Sequence, residues 1–455
     1  MKSRFRRQSK PPPWLYPNPI DAAPHAADEA LLHNLQKAAF DYFAAHTHPA
    51  TGLVADSSRS GSPSSIAAVG FALSAYPIGV ERGWIERADA VRHTLKALRF
   101  FAASDQSGND GSTGHHGFYF HFLDMQSGTR AWQCELSIID TALLVAGFLT
   151  AASYFLSDTI EETEVRERAD ALYRRVEWDW AQDGRSAVAL GWKPGHGFLS
   201  YGWQGYSEVL ILYVLGLGSP THPLSEDSFK AWTMTYQWEN LYGYDMLQAG
   251  PLFIHQLSHA WIDLRGLRDA FMREKQCDYF ENSRRATYVQ REYATRNPLG
   301  FDGYGDACWG LSAGEGPSGA PMQIGGRRQT FFGYAARGVP YGPDDGTLAA
   351  PAALASLVFA PEIVLPMIRR LAAQRDDDRR ILASGFNATV ASDVEGGWVS
   401  TGRLGFDQGL IVLMIENYRS ESTWRLTQDC AYVRTGLRRA GFKGGWLDRY
   451  RPPPS

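Results

Sequence analysis

The sequence predicts an all-α protein, an (α/α)6 barrel whose long loops form a cleft on one face. Two patterns carry that expectation. Apolar positions recur at helical spacing from about residue 29 to about residue 440, with no convincing linker between. The helical segments also fall into two kinds. Some are apolar on every side, as in IIDTALLVAGFLTAASY (138–154), VLILYVLGL (209–217) and LIVLMI (410–415). A helix hydrophobic all round is buried all round. Others, such as TIEETEVRERADALYRR (159–175), carry one charged side and belong outside. Buried and amphipathic helices in alternation suggest two concentric layers. An irregular helical bundle is the competing arrangement.

Residues 1–28, beginning MKSRFRRQSKPPPWLYPNP, are rich in proline and read as an extension, and 29–455 as a single catalytic domain. Helices are expected near 29–46, 64–82, 84–104, 137–156, 159–181, 206–217, 225–240, 250–272 and 277–296. More are expected near 347–357, 361–374, 405–418 and 424–440. Segments rich in glycine, proline and aromatic residues separate them, notably 105–134, 183–205, 297–346 and 384–404. Loops mounted on a rigid scaffold are where sites sit.

Composition narrows the function. The hydrophobic fraction is 44%, the charged fraction 21% and the net charge −4. These values suit a soluble globular protein and give no strong case for nucleic-acid or membrane binding. No stretch approaches the roughly 18 to 20 apolar residues of a membrane span. The basic N-terminus is not followed by the apolar run of a signal peptide. The cytoplasm is therefore the expected compartment, or the periplasm if a leader precedes these residues. The four cysteines, Cys134, Cys277, Cys308 and Cys430, are far apart and form no CxxC pair, so neither a disulfide scaffold nor a zinc site is expected. Aromatic residues reach 13%, which fits large cores or stacking platforms for sugar rings.

Acids in apolar helices are the informative residues, because burying an unpaired carboxylate costs several kcal/mol. Asp140 lies inside the apolar run after Ser137. It reads either as the partner of a Ser137 N-cap or as an acid facing a cavity, with Glu135 just ahead of it. Glu208 follows Ser207, a candidate cap, and is flanked by Trp203, Tyr206 and Tyr213. Apolar and aromatic neighbours raise a carboxyl pKa, as a general acid requires. Asp407 opens the helix GFDQGLIVLMIENY and reads as a cap or a cavity residue. Glu416, nine residues on, reads as a partner to an arginine. Glycoside cleavage needs two such carboxyls across one bond. There is no HExxH or Walker A motif. His115, His116 and nearby His121 lie in a glycine-rich loop and read as hydroxyl binders or, less simply, a metal site. No metal or cofactor is expected.

The segments GFYFHFLDMQSGTRAWQCELSIIDTALLVAG, SSIAAVGFALSAYPIGVERGWI and GYSEVLILYVLGLGSPTHPL resemble glycoside hydrolase family 144 and the related glucoamylase-like domain. So do PLFIHQLSHAWIDLRG, DYFENSRRATYVQREYATRNP, GYGDACWGLSAGEGP, DGTLAAPAALASLVFAPE and FDQGLIVLMIENYRS, in order over most of residues 35–420. The resemblance implies an (α/α)6 barrel that hydrolyses β-1,2-glucan with inversion, releasing sophorose and longer oligosaccharides. It favours Glu208 within GYSE as the acid and Asp140, with Glu135 beside it, as further functional acids. In SAGEGP, Glu315 keeps the charge of an aspartate with one extra methylene. By position and chemistry, Trp132, Trp203, Trp309 and Trp398 would stack on sugars. Arg59, His116, Gln204 and Tyr341 would hydrogen-bond hydroxyls, with Glu315 and Asp407 also in contact with glucan. Arg284 and Arg285 would lock helices through ion pairs. The partner is thus β-1,2-glucan or its oligosaccharides, with the oligomeric state open. An exo-acting sophorose-releasing hydrolase, a transglycosylase and a non-catalytic glucan-binding protein are the alternatives.

Overall fold

Four largely buried helices built around apolar runs pack side by side at the centre of the molecule. In the computed structural model, which describes residues 26–450 apart from 320, 325, 374–378 and 393–394, these are Ile66–Glu81, Ile138–Tyr154, Leu210–Gly218 and Gly405–Ser420. Nearly every residue of each is buried; Leu210–Gly218 is buried at all nine positions. Amphipathic helices flank them. Arg87–Ala103 and Ile160–Arg175 bury one face each, and Ile160–Arg175 is capped by Thr159, whose side chain accepts from the Glu162 amide. Helices therefore form an inner and an outer set, and the chain is helix-rich as expected.

Close approach in the inner set depends on glycine. A Cβ on Gly70 would sit 2.3 Å from the Leu143 carbonyl oxygen, and one on Gly147 would sit 2.3 Å from the Gly70 carbonyl oxygen. Ile66–Glu81 and Ile138–Tyr154 thus cross backbone to backbone. Several charged groups at such depth are paired, as burial favours. Arg82 donates to both Glu416 carboxylate oxygens at 3.0 and 2.8 Å, and Gln36 Nε2 donates to Glu416 Oε2 at 2.9 Å. The expected arginine partner of Glu416 is therefore Arg82. Arg284 pairs with Glu362 and Arg285 with Glu281, each at 2.9 Å. The four cysteines are buried free thiols.

Several boundaries differ from expectation. The extension over 1–28 lies outside the described residues up to 25, and the first helix, Ala26–His46, already includes its last three positions. The helix expected over 225–240 stops at Thr233. Beyond it WENLYGYDML forms a hairpin, Trp238–Leu241 with Tyr244–Leu247, turning at Tyr242 and Gly243. Both turn residues have positive φ, 52° and 93°, which the two-residue hairpin turn demands. The 250–272 helix breaks after Ala260 and resumes only at Ala270–Glu274, and 424–440 breaks near Cys430. The loop segments also contain short strands. Five pair in antiparallel order, Gly114–His115, Phe118–Phe120, Leu136–Ser137, Gly191–Lys193 and Gly197–Phe198. This small sheet abuts the start of Ile138–Tyr154 and brings Glu135 and Ser137 to a cavity.

Candidate active site

The cavity, about 920 Å³, is lined by residues that open inner helices and by the loops before them. Ser137 caps Ile138–Tyr154 as expected: its Oγ accepts from the Asp140 amide at 3.1 Å and donates to Asp140 Oδ2 at 2.5 Å. The carboxylate of Asp140 lies at a helix N-terminus, where the dipole favours negative charge, and still lines the cavity.

Glu208 is placed differently from the expectation. The helix begins at Leu210, so Glu208 stands in the turn ahead of it rather than in its first turn. Ser207 is not the cap, and its buried hydroxyl has no partner among the described residues. Ser258 does the work instead. Its Oγ donates to the Glu208 carbonyl at 3.1 Å and accepts from the Ile211 amide at 3.0 Å. The turn is held from a neighbouring segment, and the Glu208 side chain reaches the cavity beside Trp203 and Leu257. Burial raises its pKa to about 7, with the Asp140 charge adding to the shift.

Further acids share the space. Asp407, the third residue of Gly405–Ser420, is 7% exposed, and its Oδ2 has no hydrogen-bond partner among the described residues. Burial first, then Asp56 and Glu315, push its pKa well above the carboxylate range. Asp56 sits beside it because the Gly405 amide donates to the Asp56 carbonyl at 2.7 Å and Ser57 bridges Leu404. Burial lifts Asp56 to about 6; His121 opposes the rise, while Asp140 and Glu315 add to it. Glu315 is held by Arg59, whose Nη2 donates to Oε2 at 2.7 Å and whose Nη1 donates to Oε1, and by the Ser400 hydroxyl. Glu135 Oε1 accepts from His121 Nδ1 at 2.9 Å, and His121 holds the Glu135 carboxyl below the usual range.

Eight of the predicted site residues thus come together: Glu208, Asp140, Glu135, Trp132, Trp203, Arg59, Glu315 and Asp407 line the cavity. Trp132 is 68% exposed at positive φ and packs its ring on Phe122 at 5.0 Å, which leaves one face free for a sugar. Five others stand apart. Trp309 is fully buried and has no face to offer a ligand. Trp398 is half-buried in a strand paired with Phe386–Asn387, outside the lining. His116 stacks on Trp180 at 4.5 Å and pairs with Glu177 at 2.7 Å. Gln204 points to solvent, and the exposed Tyr341 hydroxyl donates to Glu239 at 3.1 Å. His121, named only with the loop histidines, also lines the cavity, as do Asp56 and Tyr334, which the sequence did not single out. Only the buried run Leu53–Val54–Ala55 ahead of Asp56 could have hinted that this loop turns inward. Among the described residues no group of three or more His, Cys, Asp or Glu is arranged to hold a metal ion, and no helix is long and apolar enough to cross a membrane.

Comparison with known proteins adds to this geometry. The Glycoamylase family model, described as "putative glucoamylase", matches residues 200–431. The chain is 27% identical over 448 residues to an exo β-1,2-glucooligosaccharide sophorohydrolase (non-reducing end) of Parabacteroides distasonis; the match takes in 90% of this chain and 58% of that relative. Among solved structures, a "putative glucoamylase" from Bacteroides uniformis superposes with a TM-score of 0.81 at 30% identity, covering 93% of this chain and all of that one. An endo-β-1,2-glucanase from Chitinophaga pinensis, solved with sophorotriose and glucose, superposes with a TM-score of 0.80 at 25% identity, covering 92% and 99%.

Proposed function

The chain belongs to the Glycoamylase family, and on that premise we propose that it is a glycoside hydrolase cleaving β-1,2-glucan, endo-acting and inverting. The observation that carries this reading is Glu208, a carboxyl whose proton persists to about pH 7 in a cavity that also holds Asp140 and Glu135. The similarity to β-1,2-glucan hydrolases supplies the substrate. On this reading the protein falls in the glycoside hydrolase family 144 branch, and residues 29–455 form one catalytic domain. Its inner helices close into an (α/α)6 toroid, with the cleft at their N-terminal ends.

Glu208 would give its proton to the glycosidic oxygen as the bond to the anomeric carbon breaks. Water would attack that carbon from the opposite face, and its proton would pass to a carboxylate, Asp140 or its neighbour Glu135. The product sugar then has inverted configuration. Glu208 is left ionised and the base protonated, and exchange with solvent restores both. Trp132 and Trp203 would stack on glucose rings, while Arg59, Glu315 and Asp407 would bond hydroxyls. The unpartnered Asp407 Oδ2 suits that last role.

Exo action is the second reading, favoured by the similarity to the sophorohydrolase. Product sizing from a long linear β-1,2-glucan separates the two: a ladder of sizes means endo, sophorose alone means exo. Glu208→Gln is expected to slow hydrolysis about 10²- to 10⁴-fold. A variant as fast as the wild type would remove Glu208 from the mechanism. No cleavage of either linear or cyclic β-1,2-glucan would overturn the functional reading and favour a binding protein.

A further inference from the structure

His121 joins two of the cavity acids through one ring. Its Nδ1 lies 2.9 Å from Glu135 Oε1, and its Nε2 lies 3.5 Å from Asp140 Oδ2. The ring is fixed from its other sides. It stacks on Phe122 at 4.0 Å with an interplanar angle of 9°, and Phe122 in turn carries Trp132. The backbone of His121 is pinned as well. Its amide donates to the Glu135 carbonyl at 3.0 Å, and its carbonyl accepts from the Ile66 amide, at the start of an inner helix, at 3.2 Å. An imidazole hydrogen-bonded to one carboxylate through Nδ1 and within ion-pair distance of another through Nε2 suits both best when the ring is doubly protonated.

We propose that His121 is a positioning residue of the glucan-cleaving reaction, whose ring bridges Glu135 and Asp140 and holds the Asp140 carboxylate in its working orientation. The inference rests on the functional reading above and goes beyond it, since His121 itself touches no reacting atom in that scheme. Asp140 has two fixed partners on the same oxygen, the Ser137 hydroxyl and the His121 ring. Its Oδ1 has no such anchor described, and is the oxygen left to meet water. The groups facing the ring are Glu135 ahead of Leu136–Ser137, Asp140 on Ile138–Tyr154, and Asp56 from the loop that leads to Ser64–Ser65. Burial alone would discharge the ring, but the Asp140, Glu135 and Asp56 carboxylates outweigh it and lift its pKa to about 9. The bridge therefore stays charged wherever Glu208 is still protonated.

The test compares wild type, His121→Ala and His121→Gln on linear β-1,2-glucan. A positioning group costs less than the acid or base itself, so His121→Ala is expected to lower kcat about 10- to 100-fold, with KM within about twofold. His121→Gln keeps one donor and should recover part of the loss. Without the positive ring, the acid limb of the pH profile should move to higher pH, because the Glu135 carboxylate loses the partner that keeps it ionised. A merely structural role would lower the melting temperature and leave that limb in place. Unchanged kcat and an unmoved acid limb in both folded variants would overturn the inference. An inactive wild type would overturn the functional reading first, so the two failures are distinguishable.

Discussion

Glu208 holds its proton because burial disfavours its ionised form, and the same burial makes the residue a liability for folding. Its folded pKa, about 7, lies above the 4.5 of a free glutamate. Below about pH 4.5 the folded and unfolded chains both carry the proton, and no stability is lost. Between there and pH 7 the unfolded chain ionises freely while the folded one resists, so stability falls as pH rises and then levels off. Glu208→Gln removes that loss. It should raise the stability by on the order of 3 kcal/mol at about pH 8 and leave it nearly unchanged at about pH 4. Thermal unfolding of both proteins at the two pH values checks this; a gain of equal size at both would mean that burial does not set the ionisation. The same titration predicts that hydrolysis declines as pH rises through about 7, since the acid must enter the reaction protonated. Active-site residues commonly trade stability for such a tuned group.

Single helices carry the next level of constraint, and the crossing at Gly70 and Gly147 is the sharpest. Gly70→Ala would place a methyl 2.3 Å from the Leu143 carbonyl oxygen, a backbone atom that cannot swing aside. Alanine is the better helix former, so an exposed glycine replaced this way would stabilise. Here overpacking wins, and we expect a loss of about 1–3 kcal/mol or more, read as a lower melting temperature. A neutral or stabilising result would mean that the two helices can part without cost. Element type was legible in the sequence where the apolar pattern was dense, as in 138–154 and 405–418. It failed where a local conformation competed. The turn at Tyr242 and Gly243 draws the last residues of an expected helix, 238–240, into a hairpin, and the break near Cys430 divides another. The strands of the small sheet are two or three residues long, too short for an alternation to be seen. Ser207 misled because a cap is a geometric role, and a serine from a distant segment, Ser258, fills it.

Across the whole molecule, the site is assembled from segments that are remote in sequence: Asp56, His121, Asp140, Glu208, Glu315 and Asp407 lie on different elements. Acids at starts of apolar helices were readable one by one, because each broke an apolar run. The grouping was not, since Asp56 and Glu315 lie in loops whose course no periodicity fixes. Trp309 shows the converse limit, a tryptophan in a loop-like stretch that turned out to be core. What helps hold these segments in register is the packing of the first helix on the last inner one. Ala26–His46 packs against Gly405–Ser420, and Glu416 ties them: Gln36 from the first helix and Arg82 from the end of the second both donate to its carboxylate. Glu416 is 2% exposed, while the Arg82 side chain keeps 24% of its surface in water. Removing one partner of a fully buried pair costs about 3–5 kcal/mol. With Arg82 partly hydrated, Glu416→Ala should cost about 2–4 kcal/mol. Because the network links the first helix to the last inner one, the loss should appear in the cooperative unfolding of the entire domain. Far-UV circular dichroism and tryptophan fluorescence should then shift together to a lower midpoint. A fluorescence change that leaves the helical transition where it was would show that these two helices are joined only locally, and that the site's register is kept by the inner helices alone.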